Sequence, residues 1–276
     1  MQPTKHLTAI LFTLCLLSTA CNNEEKPAET TAVQPVWKEE SITYEGDSTT
    51  MNGYIVYDET NKDKRPAVLV VHEWWGLNDY PKRRARELAA LGYVAMAVDI
   101  YGNGRTADNP DSAAKYSMTF YQDPQRAKRR LDAAIEKIKT YSQVDGTKIG
   151  AVGYCFGGGL LLNTVRLGDE LLGVVSFHGG LNGTPVNRDL LKSAILVCHG
   201  GADSFVPQKE VDQFKKQMDS IGAPYTFKVY EGCTHAFTNP DATAAGEKFK
   251  IPIAYNAAGD TASWKDMKVF FEGVFK

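Results

Sequence analysis

Ile149-Gly150-Ala151-Val152-Gly153-Tyr154-Cys155-Phe156-Gly157-Gly158 runs from an apolar segment into a glycine-flanked turn, and a second apolar segment then continues to Leu167. The first part reads as a strand buried on both faces and the second as a helix, with no room for a loop between them. Glycines on either side let the backbone pass close to its neighbours, and the residue at the apex, Cys155, is held exposed in a strained conformation. A sharp strand-to-helix turn of this kind is the setting of a nucleophile elbow. At a helix N-terminus a thiol feels the positive end of the helix dipole, which favours the reactive thiolate. A turn serving only close packing has the same glycines, so the partners of Cys155 decide its meaning.

Outward from this turn, strand-like and helix-like runs alternate. Eight short β-rich runs are expected: Ser41 to Tyr44, Gly53 to Tyr57, Ala67 to His72, Val94 to Asp99, Ile149 to Tyr154, Leu172 to Phe177, Ile195 to His199 and Tyr225 to Tyr230. The first two alternate in polarity like edge hairpins; the others are dense in Val, Ile, Ala and Leu, as in parallel strands covered on both sides. Helices are expected over Tyr80 to Leu91, Asp111 to Tyr121, Pro124 to Tyr141, Phe156 to Leu167, Pro207 to Ile221 and Ser263 to Phe275. In the third of these, Ala127, Leu131, Ala134, Ile135 and Ile138 recur at helical spacing and mark one buried stripe, so its many Lys and Arg form a solvated face. The pattern predicts an α/β fold, a mostly parallel sheet of about eight strands with helices on both faces. Ligands in such sheets collect at the carboxyl ends of the strands. Gly102 to Asp108 and Asn239 to Asp260 read as the long loops there.

A cysteine nucleophile requires a base, and the base a carboxylate that fixes its tautomer and stabilises the imidazolium. Asp203 follows the seventh strand-like run in Gly200-Gly201-Ala202-Asp203, and His235 follows the eighth in Gly232-Cys233-Thr234-His235. Both stand at strand ends, and nucleophile, acid, histidine is the chain order this kind of sheet uses. His72, His178 and His199 all precede Asp203 and read as hydrogen-bonded strand-end residues, with His178 a candidate for the pocket wall. Trp74 and Trp75, just past the third run, read as walls of a pocket for an apolar or planar group.

With 31 basic and 33 acidic residues among 276, the chain has no basic excess for nucleic acid; 43% hydrophobic and 23% charged residues suit a globular protein. Lys5, the apolar run Leu7 to Leu17 and Ser18-Thr19-Ala20 have the layout of an export signal over residues 1–20. The 11 residues of that run are too few to span a membrane as a helix, which takes about 20. Leu17-Ser18-Thr19-Ala20-Cys21 resembles a bacterial lipobox, which implies a lipid on Cys21, although Ser18 stands where such boxes usually carry a bulky aliphatic residue. The alternative is plain secretion after Ala20. Residues 21–40 read as a polar tether and 41–276 as a single domain. That domain keeps Cys155, Cys198 and Cys233, an odd number, so at least one thiol is unpaired; a Cys198 to Cys233 bridge is compatible with export. Cys198 reads as core and Cys233 as a rim residue.

The segments His72-Glu73-Trp74-Trp75-Gly76, Gly153-Tyr154-Cys155-Phe156-Gly157-Gly158, Ala202-Asp203-Ser204-Phe205-Val206-Pro207 and Thr234-His235-Ala236-Phe237 together resemble the dienelactone hydrolase family of α/β-hydrolases. The similarity runs from about Ile42 to the C-terminus. It implies a triad of Cys155, Asp203 and His235, a glutamate pairing with the resting nucleophile at Glu73, and an oxyanion hole from the backbone N–H groups of Phe156 and Trp74. A glutamate at a strand end can also simply cap a helix. Family members that open dienelactone carry two arginines on the substrate carboxylate. The second position here reads Phe237-Thr238-Asn239, without arginine, and the first offers Arg105, displaced by two residues.

The resulting expectation is a hydrolase for a small ester or lactone. Its catalytic residues are Cys155, Asp203, His235 and Glu73, its substrate-binding residues Trp74, Phe156, Trp75 and Arg105, and it uses no cofactor or metal. Membrane association is expected only through Cys21, in the cell envelope or, without lipid, in the periplasm or medium. A cell-envelope binding protein that kept the fold without turnover is the alternative. A thiol redox protein would need a resolving cysteine near Cys155, and the chain has no Cys-x-x-Cys pair.

Overall fold

The computed structural model describes residues 34–276; the export segment, Cys21 and most of the tether lie outside the described residues. Eight strands form one sheet in the order β1-β2-β4-β3-β5-β6-β7-β8. They are β1 Trp37–Gly46, β2 Thr49–Asp58, β3 Arg65–Val71, β4 Val94–Val98, β5 Val144–Tyr154, β6 Gly173–Phe177, β7 Ala194–Gly200 and β8 Tyr225–Tyr230. The β1–β2 and β2–β4 pairs are antiparallel and the remaining pairs parallel. Seven helices connect and cover them: α1 Asp79–Ala90, α2 Pro110–Gln122, α3 Pro124–Lys139, α4 Phe156–Arg166, α5 Gln208–Ser220, α6 Ala242–Phe249 and α7 Ala257–Val274.

The two faces of the sheet make two cores, because successive strand residues point to opposite sides. On β3, Ala67, Leu69 and Val71 pack with Leu131 and Ile135 of α3, Leu161 and Leu162 of α4 and Phe214 of α5. Val68 and Val70 face the other way, toward Ala85 and Leu88 of α1 and Met267 and Phe271 of α7. The chain leaves β3 toward β4 on one side and returns to β5 on the other. Strand order therefore reverses at β3, and the crevice at the carboxyl ends of β3 and β5 is the natural site for chemistry.

Three local expectations differ from the structure. Residues Trp37–Glu40 belong to β1 and not to the tether, since an edge strand with one solvated side carries polar residues such as Glu39 and Ser41 at alternate, exposed positions. Asn239 to Asp260 is not one long loop: it contains α6 and the start of α7, whose N-cap Asn256 accepts from Gly259 N–H at 2.9 Å. Cys233 is 2% exposed, not at the rim, and Cys198 is fully buried; both are free thiols, so no bridge joins them.

Candidate active site

Close backbone approach builds the elbow. A side chain on Gly153 would collide with the Gly157 carbonyl, and one on Gly157 with the Val71 carbonyl, so β3, β5 and α4 meet more tightly than any other residue permits. Cys155 sits between them at φ 51°, ψ −113°, a strained conformation for an L residue. Its N–H is shared between the Phe177 carbonyl (3.0 Å) and His178 Nδ1 (3.1 Å). To accept that bond Nδ1 carries no proton, so Nε2–H donates to Thr238 Oγ1 at 2.7 Å. Burial, and then the nearby positive charge of His235, hold His178 well below the usual histidine range and thus neutral. Thr238 lies three residues after His235, so this bond ties the elbow to the loop that carries the base.

His235 Nδ1 and Asp203 Oδ2 are 2.8 Å apart, and the second Asp203 oxygen accepts from Phe205 N–H at 2.9 Å. Asp203 is thereby fixed at both oxygens while His235 turns its other edge to Cys155. Burial pulls the imidazole pKa down, but the negative sulfur of Cys155 and the Asp203 carboxylate together outweigh it and lift His235 to about 10. The site therefore favours a protonated His235 beside Cys155. Cys155 alone of the three described cysteines opens into the cavity; Cys198, raised to about 12 by burial, and Cys233 belong to the core.

The Glu73 carbonyl contacts His72 Nδ1 at 2.5 Å and accepts from Gly76 N–H at 3.2 Å. In a trans peptide the N–H points opposite its carbonyl, so anchoring Glu73 O also fixes the direction of Trp74 N–H. Burial lowers the His72 pKa to about 4 and keeps the ring neutral, and its carbonyl partner places the one ring proton on Nδ1, which donates. On the other side the Cys155 carbonyl accepts from Gly159 N–H at 3.1 Å inside α4, which leaves Phe156 N–H directed out of the helix start. Neither Trp74 N–H nor Phe156 N–H takes part in the described turn and loop bonds.

Cys155 lies in a cavity of about 300 Å³ whose walls include Trp74, Trp75, Met118, Tyr121, Phe205 and Ile253. Its ionisable lining groups are Glu73, Cys155, Tyr121 and His235, with no Lys or Arg. Ala114, Ser117, Met118 and Tyr121 recur at three and four along α2 and form one wall. Their spacing was visible in the sequence, but an apolar stripe reads equally well as core. The Phe156 ring lies beneath the site against His72, Tyr101 and Tyr121, so only its N–H faces the chemistry.

A model of the dienelactone hydrolase family matches residues 51–275. The chain belongs to the dienelactone hydrolase family. Protein usf of Aquifex pyrophilus is 31% identical over 78% of this chain and 96% of its own length. An Aquifex aeolicus protein with a provisional carboxymethylenebutenolidase name is 33% identical over 72% and 86% of the two chains. Among solved structures, a dienelactone hydrolase-like promiscuous phosphotriesterase from metagenomic libraries superposes with TM-score 0.81 at 31% identity, covering 87% of this chain and 99% of the other. As a member of the dienelactone hydrolase family the protein is an ester-hydrolysing enzyme with a cysteine nucleophile and histidine and aspartate partners.

Two residues depart from what the family resemblance implied for dienelactone. Asn239 does not open a vacant substrate position: its Nδ2 donates to Glu73 Oε2 at 2.7 Å. Burial raises Glu73 to about 7, against the opposing pull of that bond, and its Oε1 has no partner. Arg105 does not reach the active-site cavity. The Asp99 carboxylate accepts from Gly102 N–H (2.9 Å) and Gly104 N–H (2.8 Å), folding the loop so that Arg105 lands in a different cleft beside the outer face of α2.

Because Glu73 titrates near 7, its negative charge leaves the Cys155 cavity as pH falls through that value. A neutral carboxyl does not repel the thiolate, and glutamine is neutral at every pH. Glu73→Gln is expected to remove a step near pH 7 from the alkylation rate of Cys155, and to react at pH 8 up to about tenfold faster than wild type. An unchanged rate–pH profile measured with iodoacetamide makes Glu73 purely structural.

Proposed function

We propose that this enzyme hydrolyses uncharged carboxylic esters or lactones bearing an apolar or aromatic group, with Cys155, His235 and Asp203 as its triad. The observation that carries the reading is the cavity above Cys155, walled by aromatic and aliphatic side chains and lined, among the described residues, by no Lys or Arg. In the first half-reaction the Cys155 sulfur attacks the carbonyl carbon, and the oxyanion is held by the N–H groups of Trp74 and Phe156. Collapse breaks the C–O bond to the leaving group, which takes the proton of His235 Nε2. His235, again neutral, accepts a proton from water as that water attacks the thioester. Collapse of the second intermediate releases the carboxylic acid and restores the thiolate–imidazolium pair. Glu73, held by Asn239, sets the charge beside the sulfur.

A carboxylate entering this cavity loses hydration with no Lys or Arg to replace it. For a matched pair of esters differing by one carboxylate, kcat/KM is expected to favour the neutral member at least about tenfold. Preference for the anionic ester contradicts the proposed substrate class. The metagenomic relative is described as a promiscuous phosphotriesterase, and neutral phosphotriesters belong in the same panel because they too are uncharged electrophiles. Absence of turnover across p-nitrophenyl esters, lactones and triesters favours a binding protein on this fold.

The charge and hydropathy pattern of residues 1–21 supports an exported protein, lipid-anchored through Cys21. No helix among the described residues is long and apolar enough to cross a membrane. Metabolic labelling with palmitate tests this; a Cys21→Ser variant that still incorporates label contradicts it.

A further inference from the structure

A second cleft, of about 480 Å³, lies on the opposite side of α2 from Cys155, and Arg105, Lys115, Arg126 and Arg130 line it. No carboxylate does. The cations are only partly neutralised: Asp47 is shared among Arg126, Arg129 and Arg130, at 3.1, 2.5 and 3.8 Å, while Arg105 and Lys115 have no ion-pair partner among the described residues. Arg130 is 3% exposed, donates to the Ile100 carbonyl (2.7 Å) and Thr49 Oγ1 (3.0 Å), and leaves its Nε without a hydrogen bond. Its pKa is lowered first by burial and next by Arg126, with Arg105 adding to the repulsion and Asp47 and Asp99 opposing it. The guanidiniums are already placed. Arg105 stacks over Tyr116 at 5.1 Å, and Arg126 and Arg130 over Phe120 at 5.8 and 5.2 Å.

We propose that this cleft binds the phosphate group of a small molecule or lipid headgroup between Arg105, Lys115, Arg126 and Arg130, and that its occupancy steadies the oxyanion hole through Tyr101. A phosphate offers several acceptor oxygens to donors converging from different elements, and the volume leaves room for the molecule that carries it. Tyr101 forms part of the cleft wall, while its hydroxyl donates to the Trp74 carbonyl at 2.9 Å. Its ring packs on Phe120 of the cleft at 5.8 Å and on Phe156 of the elbow at 5.4 Å. One aromatic side chain thus touches the anion site and both residues proposed to supply the oxyanion donors. The coupling rests on the catalytic reading above; the binding does not.

The test is calorimetric titration of the mature protein with inorganic phosphate at constant ionic strength, with parallel sedimentation on phosphatidylglycerol and phosphatidylcholine vesicles. Arg105→Gln/Lys115→Gln removes the two exposed cations without touching the Asp47 cluster, and Lys62→Gln/Lys268→Gln controls for net charge. Saturable phosphate binding, weakened at least tenfold in the first double variant and unchanged in the second and in Cys155→Ala, establishes the site independently of catalysis. Sedimentation with phosphatidylglycerol alone, lost in the Arg105/Lys115 variant, assigns the phosphate to a lipid, and phosphate binding without sedimentation assigns it to a free molecule. Absence of both, or survival of either at full strength in that variant, overturns the site. Saturating phosphate is expected to change kcat for a neutral ester at least twofold with KM little altered, and not in the Arg105/Lys115 variant. Binding with an unchanged kcat overturns the coupling.

Discussion

Cys155→Ala is expected to reduce ester hydrolysis by about 10³-fold or more while leaving the fold in place. In the proposed mechanism Cys155 supplies the nucleophile, and the oxyanion donors and cavity that remain provide only the residual acceleration typical of a triad without one. The stability change should stay within about 1–2 kcal/mol, because the side chain is partly exposed at the cavity and alanine tolerates the strained backbone as well as cysteine does. Thermal unfolding separates the two effects. Loss of activity with an unchanged melting transition supports the assignment, and retained turnover rejects it. Cys198→Ala offers the contrast, since that fully buried thiol contributes packing against Tyr230 and no chemistry.

Asp203→Asn is expected to lower kcat/KM by about 10²- to 10⁴-fold, the span between a mild loss of imidazolium stabilisation and a reversed tautomer. The Asp203 carboxylate accepts the His235 Nδ1 proton and also supports the charge that lifts His235 to about 10. Since the folded value lies above the ordinary histidine value, the charge interactions of His235 stabilise the fold fully below about pH 6.5, and this contribution is lost as pH rises through about 10. Without Asp203 the imidazolium loses one of its two anionic neighbours, so the thiolate–imidazolium pair gives way at lower pH. Iodoacetamide alkylation of Cys155 at pH 8 should slow along with hydrolysis. Equal alkylation and turnover in the variant would mean that Cys155 is activated by another group.

The placement of Cys155, Asp203 and His235 was readable because each sits at the carboxyl end of a strand whose apolar run announces itself, and because chain order separates His235 from the other histidines. What the histidines do was less readable. His72 anchors the Glu73 carbonyl and His178 holds the Cys155 N–H, and both depend on backbone directions that a strand-end histidine does not reveal. The first turn of α7 was missed because Gly259, Asp260 and Thr261 are weak helix formers, stabilised here by the Asn256 cap and by burial of Gly259 against Phe237 and Cys233. β5 begins at Val144, earlier than the apolar run: Val144 pairs with Arg65, but Asp145-Gly146-Thr147 falls in the register shift before Ile149 and looks like a turn. Arg105 shows the limit of spacing arguments most clearly. Two hydrogen bonds to Asp99 decide on which side of α2 it falls, and no linear count from Tyr101 contains that information.

In the proposed mechanism the reaction passes through an acyl group on the Cys155 sulfur. Mixing the enzyme with a slowly deacylated neutral p-nitrophenyl ester, quenching with acid and mapping the peptides by mass spectrometry tests it directly. One acyl adduct per chain is expected on the peptide containing Cys155, formed in step with the first equivalent of p-nitrophenol and absent from Cys155→Ala. An adduct on Cys198, Cys233 or a hydroxyl side chain, or turnover that proceeds with Cys155 demonstrably free, would contradict it.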